Sequence, residues 1–215
     1  VFNFGAPGID NLKNTQFLRL KEIEQKLEFN LGKKYFLITF HPTTLEKNME
    51  HELFSNLLSV LRDLRETKLL ITFPNNDEKN SKFIETIKSE EKKYPNRICA
   101  VRSLGRVAFI NAMRHASAII GNSSSGIIEA PSFGIPTINI GSRQKGRIKA
   151  VSIVDSDGSK QSIKEALRTI DSEEFRRICS TCDNPYGDGS SALHIVNELI
   201  HHPIANLTKK PFIDR

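Results

Sequence analysis

Five short runs of almost continuously apolar residues, at 35–40, 68–73, 98–101, 118–121 and 136–140, are each followed by a stretch with helical periodicity. Such runs are too short for buried helices, and their lack of alternation says that both faces are covered. The clearest helix, 49–64, puts Leu53, Leu57, Val60, Leu61 and Leu64 on one face. Further helices are expected at 15–31, 81–94 (with Ser81 as N-cap), 106–116, 126–133, 160–170, 173–178 and 191–200, and a last strand at 151–154. Strand alternating with helix predicts an α/β fold, a Rossmann-like doubly wound parallel sheet with helices on both sides.

Sheets of this kind bind ligands beyond the carboxyl ends of their strands. That rule selects His41-Pro42-Thr43-Thr44, Pro74-Asn75-Asn76-Asp77, Arg102-Ser103-Leu104-Gly105, the Asn122 to Gly126 loop and the Gly141 to Arg147 loop. The richest is Gly121-Asn122-Ser123-Ser124-Ser125-Gly126, where a strand ends, three hydroxyls and a glycine follow, and a helix begins. Main-chain N–H groups, the helix dipole and the hydroxyls of Ser123, Ser124 and Ser125 suit a phosphate or diphosphate. A Ser-rich N-cap is the plainer reading of the same residues. The loop is neither a Walker P-loop nor a dinucleotide fingerprint, because neither glycine spacing is present.

Glu129 lies one turn further on. It either complements the helix dipole or accepts the two hydroxyls of a ribose diol. Arg143, Lys145 and Arg147 follow the next strand in a Gly-flanked loop that can neutralise a diphosphate, or simply face water. His41 ends a strand ahead of a proline, where it can act as general acid or base, donate to a phosphate, or serve structure alone. Asn184-Pro185-Tyr186-Gly187-Asp188-Gly189 reads as a tight turn, a lid or a cap.

The 215 residues suit one large domain with appendages, and 38% hydrophobic against 26% charged residues makes global disorder an unsuitable reading. No apolar run reaches the ~18 residues of a membrane span, and the start shows no signal-peptide pattern. The chain lacks a starting Met and opens mid-pattern, which reads as a fragment. A net charge of +6 suits an anionic partner. With no Trp and 3 Tyr, aromatic platforms for bases are scarce, and nucleic-acid binding is not expected. Cys99, Cys179 and Cys182 are too few for a disulfide scaffold. The Cys179/Cys182 pair has redox or half-zinc spacing but no second ligand pair, so no metal is expected.

At these residues the sequence resembles a known family. VFNFGAPGIDNL at 1–12, ITFHPTTLE at 38–46, GNSSSGIIEAPSFGIPTINIGSRQKGR at 121–147 and NPYGDGSS at 184–191 look like the C-terminal half of UDP-N-acetylglucosamine 2-epimerases. They are most similar to the hydrolysing branch of sialic-acid and related biosynthesis, whose members supply N-acetylmannosamine or act on UDP-N,N'-diacetylbacillosamine. The resemblance implies one half of a GT-B-type two-domain enzyme, with an inter-domain linker at 1–14, a UDP-binding domain at 15–183 and a Gly-rich turn, helix and tail at 184–215. It implies that Ser123 and Ser124 bind the diphosphate, with Ser125 and Gly126 among the UDP-binding residues, and that Glu129 binds the ribose and Arg143 the phosphates. It also implies that Asn75 lines the nucleotide pocket, that Arg102 and Leu104 lie near uracil, and that His41 matches the family's catalytic-site histidine. The non-hydrolysing branch has His-Arg-Arg-Glu-Asn at His41 and Ser-Gly-Gly at 123–125, and this chain departs from both.

The implied reaction eliminates UDP to a 2-acetamidoglucal and adds water, giving UDP and the C2-inverted free sugar. The proton-moving carboxylates belong to the family's other domain, so the isolated chain is expected to bind UDP without turnover. No cofactor and no membrane partner is expected, and a cytoplasmic homodimer is implied. The alternatives are a glycosyltransferase nucleotide domain and a non-hydrolysing epimerase.

Overall fold

The computed structural model describes residues 2–42, 47–74 and 80–201, the side chains at 47 and 48 excepted. Six parallel strands form one sheet in the order β3-β2-β1-β4-β5-β6, with β1 Tyr35–Thr39, β2 Lys68–Thr72, β3 Ile98–Val101, β4 Ala118–Gly121, β5 Thr137–Ile140 and β6 Ile153–Ser156. The order reverses between β1 and β4, which is the topological switch point of a doubly wound sheet. The expected fold class is therefore the observed one.

Alternation inside the strands explains the two cores. Phe36, Ile38, Leu69 and Ile71 point to one face, where α3 (Lys47–Arg62), α4 (Ser81–Lys93) and α7 (Lys160–Asp171) supply Phe54, Leu57, Leu61, Phe83, Ile87 and Ile163. Tyr35, Leu37 and Leu70 point to the other face, toward Ile23 of α2 (Leu20–Leu27) and Met113 of α5 (Gly105–His115). Neither face of β1 meets water, which is why the run reads as uninterrupted apolar sequence.

Four sequence expectations change. The helix expected over 15–31 is shorter, spanning Leu20–Leu27, because α5 captures the residues before it. The Leu18 N–H donates to Asn111 Oδ1 at 2.7 Å, Asn111 Nδ2 donates to the Gln16 carbonyl at 2.9 Å, and the His115 ring bonds the Leu18 carbonyl at 2.8 Å. Residues 1–14 contain a helix that the sequence reading did not assign, α1 (Pro7–Lys13), with Pro at its start and Ile9 and Leu12 packed on Ile110. The helix expected at 126–133 divides into α6 (Ser125–Ile128) and a 3-10 turn, Ala130–Phe133, because Pro131 cannot donate to the α-helical ladder. The last strand begins at Ile153 instead of Val151, whose side chain is exposed.

The last helices among the described residues are α8 (Glu173–Ser180) and α9 (Ser191–His201). The intervening Gly-rich turn is a brace. The Ala6 N–H donates to the Tyr186 carbonyl at 2.8 Å, and Asn184 Nδ2 donates to the Ile128 carbonyl at 2.8 Å and to Ser132 Oγ at 2.7 Å. The Tyr186 hydroxyl reaches the Ile148 carbonyl at 3.0 Å. Residues 183–190 thus tie the N-terminal segment to the segment that follows α6.

Candidate functional site

The switch point brings together residues 81 to 102 positions apart in sequence. β1 and β4 pair through Thr39 and Gly121, and the Asn122 N–H still reaches the Thr39 carbonyl at 3.2 Å. Gly121 has φ 143°, and a Cβ there would lie 2.0 Å from the Thr39 carbonyl oxygen. Only glycine lets β4 approach β1 so closely as it turns toward the loop.

Beyond that point the strands part, and Asn122 bridges the gap. Its Oδ1 accepts from the His41 N–H at 2.7 Å, and its Nδ2 donates to the His41 carbonyl at 2.7 Å. The Asn122 carbonyl in turn accepts from Arg143 at 2.9 Å and from Gln144 Nε2 at 2.8 Å. One buried residue therefore holds His41 from β1 and Arg143 and Gln144 from the loop after β5.

The Ser loop is set by packing. A Cβ at Gly126 would lie 2.8 Å from Thr137 Cγ2, so glycine lets α6 settle against β5, where Thr137 Oγ1 donates to the Gly126 carbonyl at 3.0 Å. Ser125 is buried and its hydroxyl donates to Ser123 Oγ at 3.0 Å, while Ser123 and Ser124 are half-buried at the mouth of α6. Sequence position placed three hydroxyls there, and the structure separates them into two that border solvent and one turned inward.

At the candidate site His41 and Glu129 differ from their ordinary behaviour. Burial first, then the nearby Arg143 guanidinium, holds the His41 imidazole below the usual histidine range. Burial raises the Glu129 carboxyl above the usual range, against the opposing pull of its own backbone hydrogen bond and of Arg147. Glu129 Oε2 is buried without a protein partner among the described residues. Gln144 Oε1 shares that condition. A carboxylate oxygen left in this way is suited to accept hydroxyl hydrogens from a ligand.

Arg102 and Leu104 lie after β3, at the sheet edge. With strands ~4.8 Å apart, that is about 14 Å from β4. Arg102 is exposed, and Leu104 leans on the second core cluster at the start of α5. The structure therefore places them at the far end of the carboxyl face, away from the Asn122 cluster. Asn75 lies outside the described residues, as do Thr43 and Thr44. Among the described residues no group of three metal-ligating side chains occurs. Cys179 and Cys182 are free thiols, with burial and then Cys182 pushing the Cys179 thiol up to about 11. The sequence reading missed the roles of Asn122 and Gln144. The signal was an amide immediately after the glycine that ends a switch-point strand.

A profile of the UDP-N-acetylglucosamine 2-epimerase family matches residues 1–200. The chain belongs to that family. It is 38% identical over 178 residues to GDP/UDP-N,N'-diacetylbacillosamine 2-epimerase (hydrolyzing) of Campylobacter jejuni, covering 82% of this chain and 46% of that protein. Against polysialic acid biosynthesis protein P7 of Escherichia coli it is 33% identical, covering 91% of this chain and 50% of that one. The fold matches UDP-GlcNAc 2-epimerase from Neisseria meningitidis, solved bound to UDP-GlcNAc, with a TM-score of 0.72 at 19% identity over 92% of this chain and 54% of that chain. The chain thus spans about half the length of the relatives it matches.

Proposed function

We propose that this chain is the UDP-holding half of a hydrolysing UDP-sugar 2-epimerase. The substrate is UDP-N-acetylglucosamine or a UDP-diacetamido sugar. The reaction yields UDP and the free sugar inverted at C2, of the N-acetylmannosamine type, through a 2-acetamidoglucal. The observation that carries the reading is the meeting of His41, the Ser loop and Arg143 at one switch point, in a chain whose relatives include hydrolysing 2-epimerases.

The chemistry divides accordingly. Elimination leaves negative charge on the departing diphosphate, and pre-placed donors lower that barrier. In this reading the mouth of α6, with Ser123, Ser124, Ser125 and Gly126, cradles the diphosphate. Arg143 supplies its cation, Glu129 accepts the ribose hydroxyls, and Asn75, Arg102 and Leu104 border the base. His41, held below the usual histidine range by burial and by Arg143, is assigned to donate to the leaving group or exchange a proton with it. Residues 1–14 are the linker to a partner domain that brings the proton-moving carboxylates, 15–183 bind UDP, and 184–215 are the Gly-rich turn, helix and tail. The chain alone therefore binds UDP without turnover, and the full-length enzyme acts as a cytoplasmic homodimer. Among the described residues no helix is long and apolar enough to cross a membrane.

The test is a product assay on the full-length protein with UDP-N-acetylglucosamine or UDP-N,N'-diacetylbacillosamine and no acceptor. UDP plus the C2-inverted free sugar supports the proposal. A UDP-linked epimer would assign the non-hydrolysing reaction, and turnover only with an added acceptor would assign glycosyl transfer.

A further inference from the structure

The main-chain pairing of β1 with β4 ends at Thr39 and Gly121, yet the next stretch of β1 is not left loose. The Asn122 side chain takes the place of a further rung. A carboxamide presents a donor and an acceptor side by side, as a peptide unit does, and it meets both main-chain groups of His41 at 2.7 Å. Asn122 is 2% exposed, so losing either bond leaves a buried polar group unpaired. The residue's own carbonyl is spent on Arg143 and Gln144. Movement of Asn122 would therefore shift the imidazole and the guanidinium together.

We propose that Asn122 is a positioning residue that acts through His41, its amide fixing where the imidazole stands relative to the Arg143 cation. The inference rests on the epimerase reading for its kinetic test and on the hydrogen-bond geometry alone for its spectroscopic one. Aspartate cannot replace the amide, because it keeps the acceptor for the His41 N–H but sets a carboxylate oxygen against the His41 carbonyl. Alanine removes both bonds and leaves the main-chain contacts to Arg143 and Gln144 in place.

The test is a double-mutant cycle in the full-length protein with Asn122→Ala, His41→Ala and the double variant. Asn122→Ala is expected to lower kcat on the order of 100-fold, as misplacement by about 1 Å does, with KM changed by less than about threefold. Adding Asn122→Ala to His41→Ala is expected to change kcat by less than about twofold. Multiplied losses would overturn the proposal, since Asn122 would then act independently of His41. If Asn122→Ala does not fold, Asn122→Asp is expected to show the same non-additivity, and multiplied losses there overturn it equally.

If the wild-type protein turns over no UDP-sugar, the epimerase reading fails, and the positioning claim is read by NMR. The His41 ring cross-peak is expected to move in Asn122→Ala toward the position of an exposed histidine. A cross-peak that stays in place would overturn the claim.

Discussion

The Asn122 side-chain amide and the His41 main chain exchange two hydrogen bonds of 2.7 Å across the point where β1 and β4 separate. This pairing turns the crevice of a doubly wound sheet into a defined site. It seats a partly buried imidazole on one lip while the Arg143 guanidinium is anchored from the other. The same relationship makes the site depend on how closely the two strands approach.

That dependence is sharpest at Gly121. A Cβ there would collide with the Thr39 carbonyl at 2.0 Å, in a backbone conformation that side chains rarely adopt. Gly121→Ala is expected to destabilise the fold on the order of 4 kcal/mol, combining strain with overpacking. Gly105→Ala, at φ 66° with open space around it, should cost only about 1 kcal/mol. Urea unfolding of both variants measures the difference, and equal losses would remove the close approach as the cause.

Arg143 bears on affinity. One of its nitrogens is held by the Asn122 carbonyl, which pre-orients the remaining donors. Arg143→Ala is expected to weaken UDP binding by about 1.5–3 kcal/mol, the scale of a hydrogen bond to a charged group. Calorimetry that finds unchanged affinity would make Arg143 a surface cation.

Glu129 sets a pH dependence. Its folded-state carboxyl titrates above the ordinary value of 4.5, so its contribution to stability is full below that value and is lost as pH rises through the raised one. Ribose hydroxyls would favour the ionised form, so UDP-sugar affinity should rise with pH across that window. Glu129→Gln should flatten the profile. A UDP-sugar is the right probe, because both of its phosphates are esterified and lack the second ionisation near ~6 of a free terminal phosphate. An identical pH profile in the variant would remove Glu129 from the ribose site.

His41→Ala in the full-length protein is expected to lower kcat by about 10²–10⁴-fold, the range for a lost proton-transfer group, with UDP affinity changed far less. Steady-state kinetics beside UDP calorimetry separates the two effects. The reverse pattern would make His41 a binding residue.

Most of the fold was legible because most of it is buried on two sides. The strands at 98–101 and 118–121 coincide with their apolar runs, and β1 and β2 differ from theirs only at one end. The errors fell where a distant side chain decides a local conformation. Asn111 and His115 hold residues 16–18 out of the helix against their helical spacing, and no nearby residue announces it. β6 starts late because Val151 faces water despite its composition. The candidate site was legible as a set of strand ends. The Ser loop and the Arg143 loop follow from the rule that ligands bind beyond the carboxyl edge. The Asn122 contact with His41 spans 81 residues and depends on register, so only the assembled sheet shows it.

The measurement that reaches the central claim most directly is proton NMR of the sugar released from UDP-N-acetylglucosamine by the full-length enzyme in deuterium oxide. Elimination followed by addition of water removes the original C2 hydrogen and returns one from solvent on the opposite face. The account predicts a free sugar of inverted C2 configuration carrying deuterium at C2, with UDP released in equal amount. A free sugar that retains both its C2 hydrogen and its configuration would contradict it.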